Sequence, residues 1–212
     1  GEPQAPHYGV GGSTSRRPLG YAFATLANHG EAQLAEKMVT HNWGNVFNHL
    51  VAAVVADALS LDSYESVSKR LTNDLGGLRE DIEEMSAKDT TSYWICAFSV
   101  NQHAGICARS PPTDSLGFPI RACSCVTPKH FDGELSEMNK FDAMMASLKR
   151  QIKTRSAETG RLERLSQVVA VDLGFVILTR VWCVAELVQA DKSNLQQNLM
   201  VHSNASQEAC VE

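Results

Sequence analysis

The stretch of sequence that decides the fold consists of QVVAVD (residues 167–172), a loop, and TRVWCVAEL (residues 179–187). Residues 168–171 form a short, continuous apolar run, which is typical of a β-strand buried on both faces. The segment after the loop predicts a helix over residues 181–190. A buried strand that leads through a loop into a helix is the repeating unit of an α/β fold with a parallel sheet.

A second unit of the same kind lies nearer the start of the chain. Residues 37–41, KMVTH, predict a short strand that runs into a loop over residues 41–45. From Val46 onward, apolar residues recur every three or four positions, and this spacing predicts a helix. Asn45 is the expected N-cap of that helix.

The remaining segments extend this alternation of strands and helices. Residues 64–87 predict a polar helical stretch broken near Gly76-Gly77, and residues 137–153 predict a helix with one apolar stripe. The run SYWICAFSV (residues 92–100) is aromatic and nearly continuously apolar, which predicts a central strand buried on both faces. Residues 199–202 predict a last short strand.

Together these elements predict an α/β fold in which a doubly wound, mainly parallel sheet is flanked by helices. Residues 21–205 form the single predicted domain, and residues 104–133 form a long irregular insertion within it. Residues 1–20 are rich in Gly, Pro and Ser and predict a flexible leader. Residues 206–212 are predicted to be a polar tail.

The composition excludes several classes of protein. The 212 residues include 19 basic and 24 acidic side chains, and the formal net charge of −5 gives no general attraction to nucleic acid. The longest apolar run, residues 50–56, is much shorter than the roughly 20 residues that span a membrane. The cysteines lack the dense pattern of a secreted disulfide framework, and residues 1–20 lack a secretory signal. We therefore expect a soluble cytoplasmic protein with no membrane or nucleic-acid partner. Because residue 1 is Gly rather than Met, we also expect a processed or excised piece of a longer protein.

The segment that opens the predicted helix resembles TIR domains. In that family a buried strand and a short loop precede a Ser-x-Trp-Cys-x-x-Glu-Leu-like pattern, and the present chain has Thr179-x-x-Trp182-Cys183-x-x-Glu186-Leu187. The strand KMVTH and the helix after it are similar to the first strand and helix of the same family. The resemblance implies a TIR/flavodoxin-like version of the α/β fold.

A second resemblance involves YWICAFSVNQ (residues 93–102). This run is similar to the Trp-Ile-Asp-x-x-Cys-Ile-Asn-Gln run of fungal heterokaryon-incompatibility (HET) domains, which are themselves TIR-like. Cys96 stands where that run has an aspartate. The two resemblances agree on the class of fold.

The TIR resemblance also implies an activity. In TIR enzymes the glutamate of the motif cleaves the nicotinamide–ribose bond of NAD, and position by position that role falls on Glu186. The bond breaks through an oxocarbenium-like state, which a nearby carboxylate stabilises. The implied protein is an NAD(P)-cleaving enzyme (an NAD+ nucleosidase) in immune or cell-death signalling, with NAD as substrate, no cofactor, and homo-oligomerisation through TIR-like contacts. The alternatives are a non-catalytic TIR-like adaptor module that acts by self-association and a sensor that binds a nucleotide without cleaving it.

Candidate binding residues lie at the ends of predicted strands, where parallel sheets bind ligands. In the loop that begins with His41, Asn42 and Trp43, the imidazole could hydrogen-bond a phosphate or ribose and the indole could stack on a base. The competing interpretation is an ordinary loop histidine beside an anchoring tryptophan. Asn101 and Gln102 close another predicted strand, where loop capping is the alternative to ligand contact.

The predicted helix supplies two further candidates. Trp182 and Glu186 are four residues apart and share nearly the same helical face. Trp182 either walls a pocket or anchors the helix by core packing. For Glu186, the alternative to catalysis is a solvated or salt-bridged glutamate with Arg180 as its partner.

A candidate metal site lies in the irregular insertion and just before it, where the chain has His103, Cys107, Cys123, Cys125 and His130. Four such side chains could hold zinc, but Cys123-x-Cys125 lacks the usual two-residue gap. The sequence therefore predicts no metal, and favours unpaired loop thiols or a redox-labile disulfide. Neither a Gly-x-Ser-x-Gly elbow nor a Gly-x-x-x-x-Gly-Lys-Ser/Thr phosphate loop is present.

Overall fold

Four parallel strands form the centre of the computed structural model, which describes residues 21–87, 91–105, 107, 113–114, 116–121, 123–130, 133, 141–160 and 164–203. In chain order the strands are β1 (Lys37–His41), β2 (Tyr93–Ile95), β3 (Ser166–Ala170) and β4 (Gln196–Met200). Within the sheet their order is β2-β1-β3-β4, and every pairing is parallel. This arrangement confirms the predicted α/β architecture with a parallel sheet.

The helices of the described residues lie before the first strand or between successive strands. They are α1 (Phe23–Ala27), α2 (Phe47–Ala58), α3 (Glu65–Asn73), α4 (Leu75–Ser86), α5 (Cys96–Ser99), α6 (Phe141–Thr159) and α7 (Val181–Lys192). A 3₁₀ helix over Val176–Thr179 leads from β3 into α7. The strand–loop–helix units predicted around β1 with α2, and around β3 with α7, are both confirmed.

Consecutive residues of β1 point to opposite faces of the sheet and enter different hydrophobic clusters. Val39 belongs to a cluster with α2, α3 and α4, in which Ala52 and Ala56 are completely buried. These small side chains let α2 approach the strands closely. Met38 belongs to a second cluster, with Ile152 of α6. Helices therefore cover both faces, as a parallel sheet requires.

The predicted central strand over residues 92–100 is wrong. Only Tyr93–Ile95 pairs, and it pairs with β1 alone, at the edge of the sheet. The apolar residues that follow form α5, in which the Phe98 ring lies 5.5 Å from Phe23 and 5.9 Å from Phe47. The run is apolar because it packs against α1 and α2, and apolar content alone does not distinguish a short strand from a short helix.

Two predicted helix boundaries also differ from the structure. The polar helical stretch is interrupted at Asp74 rather than at Gly76-Gly77, because the Asp74 carboxylate accepts a hydrogen bond from the Gly77 backbone N–H at 3.1 Å and caps α4. The N-cap of α2 is Val46 and not Asn45, whose side chain instead accepts from the Val46 N–H.

Other predicted segments are only partly within the described residues. The predicted helix at 137–153 is described from Phe141, and it continues to Thr159. In the predicted insertion, the described residues contain turns and an isolated bridge between Thr113 and Pro119. The predicted leader at 1–20 and tail at 206–212 lie outside the described residues. Among the helices described, none has the length and apolar character that crossing a bilayer demands.

Tyr64, the residue just before α3, forms a hydrogen bond to the chain just beyond β3, and a substitution can test what this bond contributes to stability. Its side chain is completely buried, and its hydroxyl donates a hydrogen bond of 2.7 Å to the Val171 carbonyl just beyond β3. Burial, followed by the nearby charge of Asp172, raises the pKa of this hydroxyl to about 12. Tyr64→Phe removes this donor, and we expect it to lower the free energy of unfolding by about 1–2 kcal/mol in urea denaturation.

The matched control is Tyr21→Phe, because Tyr21 is 63% exposed. This control is expected to change the free energy of unfolding by less than about 0.5 kcal/mol. Equal effects of the two substitutions would contradict the structural role assigned to the Tyr64 hydroxyl.

Candidate functional site

A pocket of about 440 Å³ opens at the carboxyl ends of β1 and β2, against α7. Its volume lies in the range of ordinary ligand sites. The chain leaves β1 toward β2 on one side and later returns to β3 on the other, so the pocket lies near the point where the strand order reverses. Aromatic, sulfur-containing and charged side chains line it: Val39, His41, Trp43, Trp94, Cys96, Ser99, Val100, Phe141, Met144, Arg180, Trp182, Cys183 and Glu186.

Glu186 is the carboxylate of this pocket, and β1 holds it in position. The Thr40 hydroxyl donates a hydrogen bond of 2.6 Å to Glu186 Oε2. Thr40 in turn accepts a hydrogen bond of 2.8 Å from Gln167 Nε2 on β3. The Glu186 carboxylate thus takes its hydrogen bond from the strand, and the ion pairs of the described residues do not include one between Glu186 and Arg180.

The hydrogen bonds continue from β3 to β4. Gln197 Nε2 donates to Gln167 Oε1 at 2.7 Å and to the Leu187 carbonyl of α7 at 3.0 Å. The side-chain bonds therefore run in one direction, from Gln197 through Gln167 and Thr40 to Glu186. We call these four side chains the polar row. Its two middle members are almost completely buried, so their hydrogen bonds form where water does not compete.

The electrostatics of Glu186 follow from this environment. Burial raises the pKa of the carboxyl group above its ordinary value, and the hydrogen bond from Thr40 partly offsets the increase. A raised carboxyl pKa in a cleft is a common property of functional sites.

Asp57 is a buried carboxylate whose surroundings differ from those of the partly buried Glu186. Asp57 accepts hydrogen bonds of 2.7 Å from Lys37 Nζ, Tyr93 Oη and Asn198 Nδ2. Three strong donors satisfy that group within the fold. Glu186 accepts one hydrogen bond from the described residues, and it lines the pocket. Its carboxylate therefore retains the capacity to contact a ligand.

His41 and Trp43 form one wall of the pocket. Their rings stack with 6.2 Å between centroids and an interplanar angle of 9°. His41 is buried, which lowers its pKa, whereas a hydrogen bond with the Val39 backbone acts in the opposite direction. Trp43 remains 43% exposed at the pocket edge. The structure thus brings both predicted residues, together with Trp182 and Glu186, to one pocket.

The other three predicted binding residues lie outside the pocket lining. Asn42 is buried, accepts a hydrogen bond from the Gly44 N–H at 2.9 Å, and donates one to Asp172 at 3.5 Å. Asn101 accepts from the His103 N–H, and Gln102 donates to the Cys96 carbonyl. All three side chains make hydrogen bonds that shape loops next to the pocket.

Asp172 organises the entrance to α7. Its carboxylate accepts hydrogen bonds from the backbone N–H groups of Val176 and Ile177, at 2.9 and 2.8 Å. These bonds hold the start of the 3₁₀ helix, where Phe175 adopts a left-handed conformation with φ of 53°. One carboxylate therefore organises the loop between β3 and α7. This loop positions α7 beside the end of β1.

Several members of the site were not predicted from the sequence. Thr40 and Gln167 lie within the buried strands β1 and β3, where their polarity gave a signal that could have been used, whereas Gln197 lies in the mostly exposed strand β4 and gave none. A polar residue inside a buried apolar run must find a hydrogen-bond partner. Trp94 and Phe141 reach the pocket from β2 and α6, and no local motif marks them.

The described residues also contain a group of side chains suited to metal binding. His103, Cys107, Cys123 and Cys125 each offer one ligand atom, and these atoms all lie within 4.8 Å of one another. Three members of the group lie in the insertion and His103 immediately precedes it, and none of the four lines the pocket.

No protein family, curated protein or solved structure was found to match this chain. The fold and the site define its class directly. It is an α/β protein with an open parallel sheet and a carboxylate-containing, aromatic-walled pocket at the carboxyl ends of its strands.

Stability measurements can show whether Glu186 is a functional or a structural carboxylate. Because its pKa is raised in the folded chain, ionisation destabilises the fold. This destabilisation is complete above the raised pKa and disappears below the ordinary pKa of about 4.3 in the unfolded chain. We expect Glu186→Gln, which retains an acceptor for Thr40, to raise the melting temperature at pH 8. The gain should shrink toward zero as the pH falls below about 4.3.

Glu65→Gln is the control, since a hydrogen bond from Lys69 lowers the pKa of the Glu65 carboxyl. This substitution should give no gain at pH 8. A lower melting temperature of Glu186→Gln at pH 8 would mean that the charged carboxylate stabilises the fold.

Proposed function

We propose that the chain is a TIR-like enzyme that cleaves the nicotinamide–ribose bond of NAD(P), acting in cytoplasmic immune or cell-death signalling. The observation that carries this proposal is the partly buried Glu186 carboxylate, held by Thr40 within an aromatic pocket. The strand order β2-β1-β3-β4 supports it, because flavodoxin-like sheets have the order 2-1-3-4-5 and bind ligands at the β1/β3 reversal.

The chemistry needs one well-placed carboxylate. In NAD the nicotinamide ring is already cationic, so the C1′–N1 bond breaks with its electron pair moving onto the ring nitrogen. Neutral nicotinamide leaves and an oxocarbenium ion remains, and the negative charge of Glu186 stabilises this developing positive charge. Water then bonds to C1′ and loses a proton to give ADP-ribose, whereas attack by another atom of the substrate would give a cyclic form.

The remaining pocket residues fit the other parts of the substrate. Trp43, Trp94 and Trp182 offer flat apolar faces, and an aromatic face attracts a cationic ring such as nicotinamide. Arg180 adds a positive charge at the same pocket, which suits the phosphates. The His41 imidazole is neutral and uses one ring nitrogen for its hydrogen bond with the Val39 backbone, so its other ring nitrogen can accept a hydrogen bond from a ribose hydroxyl. NAD(P) is thus a substrate in this proposal, and no cofactor takes part.

The test is nicotinamide release from NAD and NADP, measured by chromatography with and without a crowding agent. Glu186→Ala should lower kcat/KM by about 10²-fold or more, because it removes the charge that stabilises the transition state. Asp191→Asn is the matched control, since Asp191 is an exposed acidic residue of the same helix. It should retain wild-type turnover. A Glu186→Ala protein that is folded and fully active would refute the proposal.

A second function is favoured by a separate observation. Helix α7 and the residues before it expose apolar side chains beyond the pocket, including Val181 at 79%, Leu178 at 52% and Val188 at 45%. Grouped exposed apolar side chains are typical of protein–protein contacts. The alternative is therefore a non-catalytic TIR-like module that acts by self-association. A wild-type chain that turns over no NAD at high concentration but self-associates through this surface would favour it.

A further inference from the structure

The insertion and the residue just before it, His103, provide a compact group of metal-type ligands that the proposed function does not use. Cys107 Sγ lies 3.4 Å from Cys125 Sγ, and Cys123 Sγ lies 3.4 Å from His103 Nδ1. All four ligand atoms are within 4.8 Å of one another. In a tetrahedral zinc site with bonds of ordinary length, two sulfurs are about 3.8 Å apart, and a sulfur and a nitrogen about 3.5 Å apart. The two observed separations of 3.4 Å are close to these distances between ligand atoms.

The backbone brings the two ligand-bearing segments together. The Cys107 N–H donates to the Gln102 carbonyl at 3.1 Å, which folds the first segment into a turn around His103. The second segment returns alongside it, because the His130 N–H donates to the Ala104 carbonyl at 3.0 Å. The four side chains thus converge from both ends of a long loop, although the sequence spacing between them is unusual.

A lysine lies beside the group and suits its charge. With three thiolates and one neutral imidazole, bound Zn²⁺ would carry a net charge of −1. Lys129 Nζ lies 3.0 Å from Cys107 Sγ and 3.4 Å from Cys125 Sγ, and it also donates to the His103 carbonyl. An ammonium group in this position offsets the negative charge and holds two of the ligands.

We propose that His103, Cys107, Cys123 and Cys125 form a structural zinc site that closes the insertion next to the pocket. Four protein ligands complete a tetrahedron and leave no position for a substrate, so the site has a structural role. The donor set favours zinc because soft thiolates with one imidazole select it over magnesium or calcium. This inference does not depend on the proposed activity. It replaces the sequence-based prediction of no metal and of unpaired loop thiols or a disulfide.

The test is the zinc content of the purified full chain, measured by inductively coupled plasma mass spectrometry. We expect about one zinc per chain, and Cys107→Ser, Cys123→Ser and Cys125→Ser should each lose most of it. Cys96→Ser is the matched control, because Cys96 is also outside any disulfide but lies apart from the cluster. It should retain the full zinc content.

Cobalt gives a second readout that does not depend on activity. Co²⁺ exchanged into the wild-type chain should show visible absorption bands of tetrahedral coordination together with thiolate charge-transfer bands. Lys129→Met leaves all four ligands in place and so avoids the problem of an unfolded cysteine variant. It should weaken zinc affinity about tenfold in competition with a chelator.

Three results would overturn the proposal. The first is a chain that holds no zinc and shows no tetrahedral cobalt spectrum when reduced and reconstituted. The second is a zinc content that falls equally in Cys96→Ser and in the cluster variants. The third is a metal-free native chain in which mass spectrometry finds a disulfide between Cys107 and Cys125, since that bond would consume two of the ligands.

Discussion

The hydrogen bond from the Thr40 hydroxyl to the Glu186 carboxylate is the interaction on which the site depends. It joins the end of a central strand to the middle of α7, and it is the last bond of the polar row that begins at Gln197. Every side-chain donor in the row points toward Glu186, so the row ends on an acceptor. A carboxylate would otherwise be costly to hold against a buried sheet, and the row stabilises it without surrounding it.

This arrangement follows from the topology of the sheet. The strand β1 lies between β2 and β3, and all strands run in the same direction, so the ends of β1 and β2 and the start of α7 meet at one edge. Asp172 then holds the loop that delivers α7 to that edge. At the opposite end of β1, Asp57 accepts hydrogen bonds from three side chains and secures the sheet. The two carboxylates have different roles because the fold satisfies one of them and leaves the other facing a pocket.

The amino-acid sequence predicts the fold best where burial dictates composition. The strand at 168–171 and the helix after it were predictable, because a strand covered on both faces must be apolar throughout. The same rule failed at 92–100, where aromatic residues serve helix packing instead. The Thr40–Glu186 hydrogen bond could not be predicted from the sequence, because its partners are 146 residues apart and no local motif contains both of them. The four residues of the metal-type cluster were named from the sequence, but their spacing argued against a metal site, because it is the path of the loop that brings them together.

The most direct test of the account is the pH dependence of kcat/KM for nicotinamide release. The proposed reaction needs the ionised Glu186 carboxylate, so the rate should fall as the pH drops through the pKa of this group, which burial raises above its ordinary value. The Thr40 hydroxyl lowers that pKa, and Thr40→Val removes the hydroxyl but keeps the shape of the side chain. The acidic limb should therefore move to higher pH in Thr40→Val and return to the wild-type position in Thr40→Ser. An identical limb in all three proteins would contradict the claim that this carboxylate, held by Thr40, performs the chemistry.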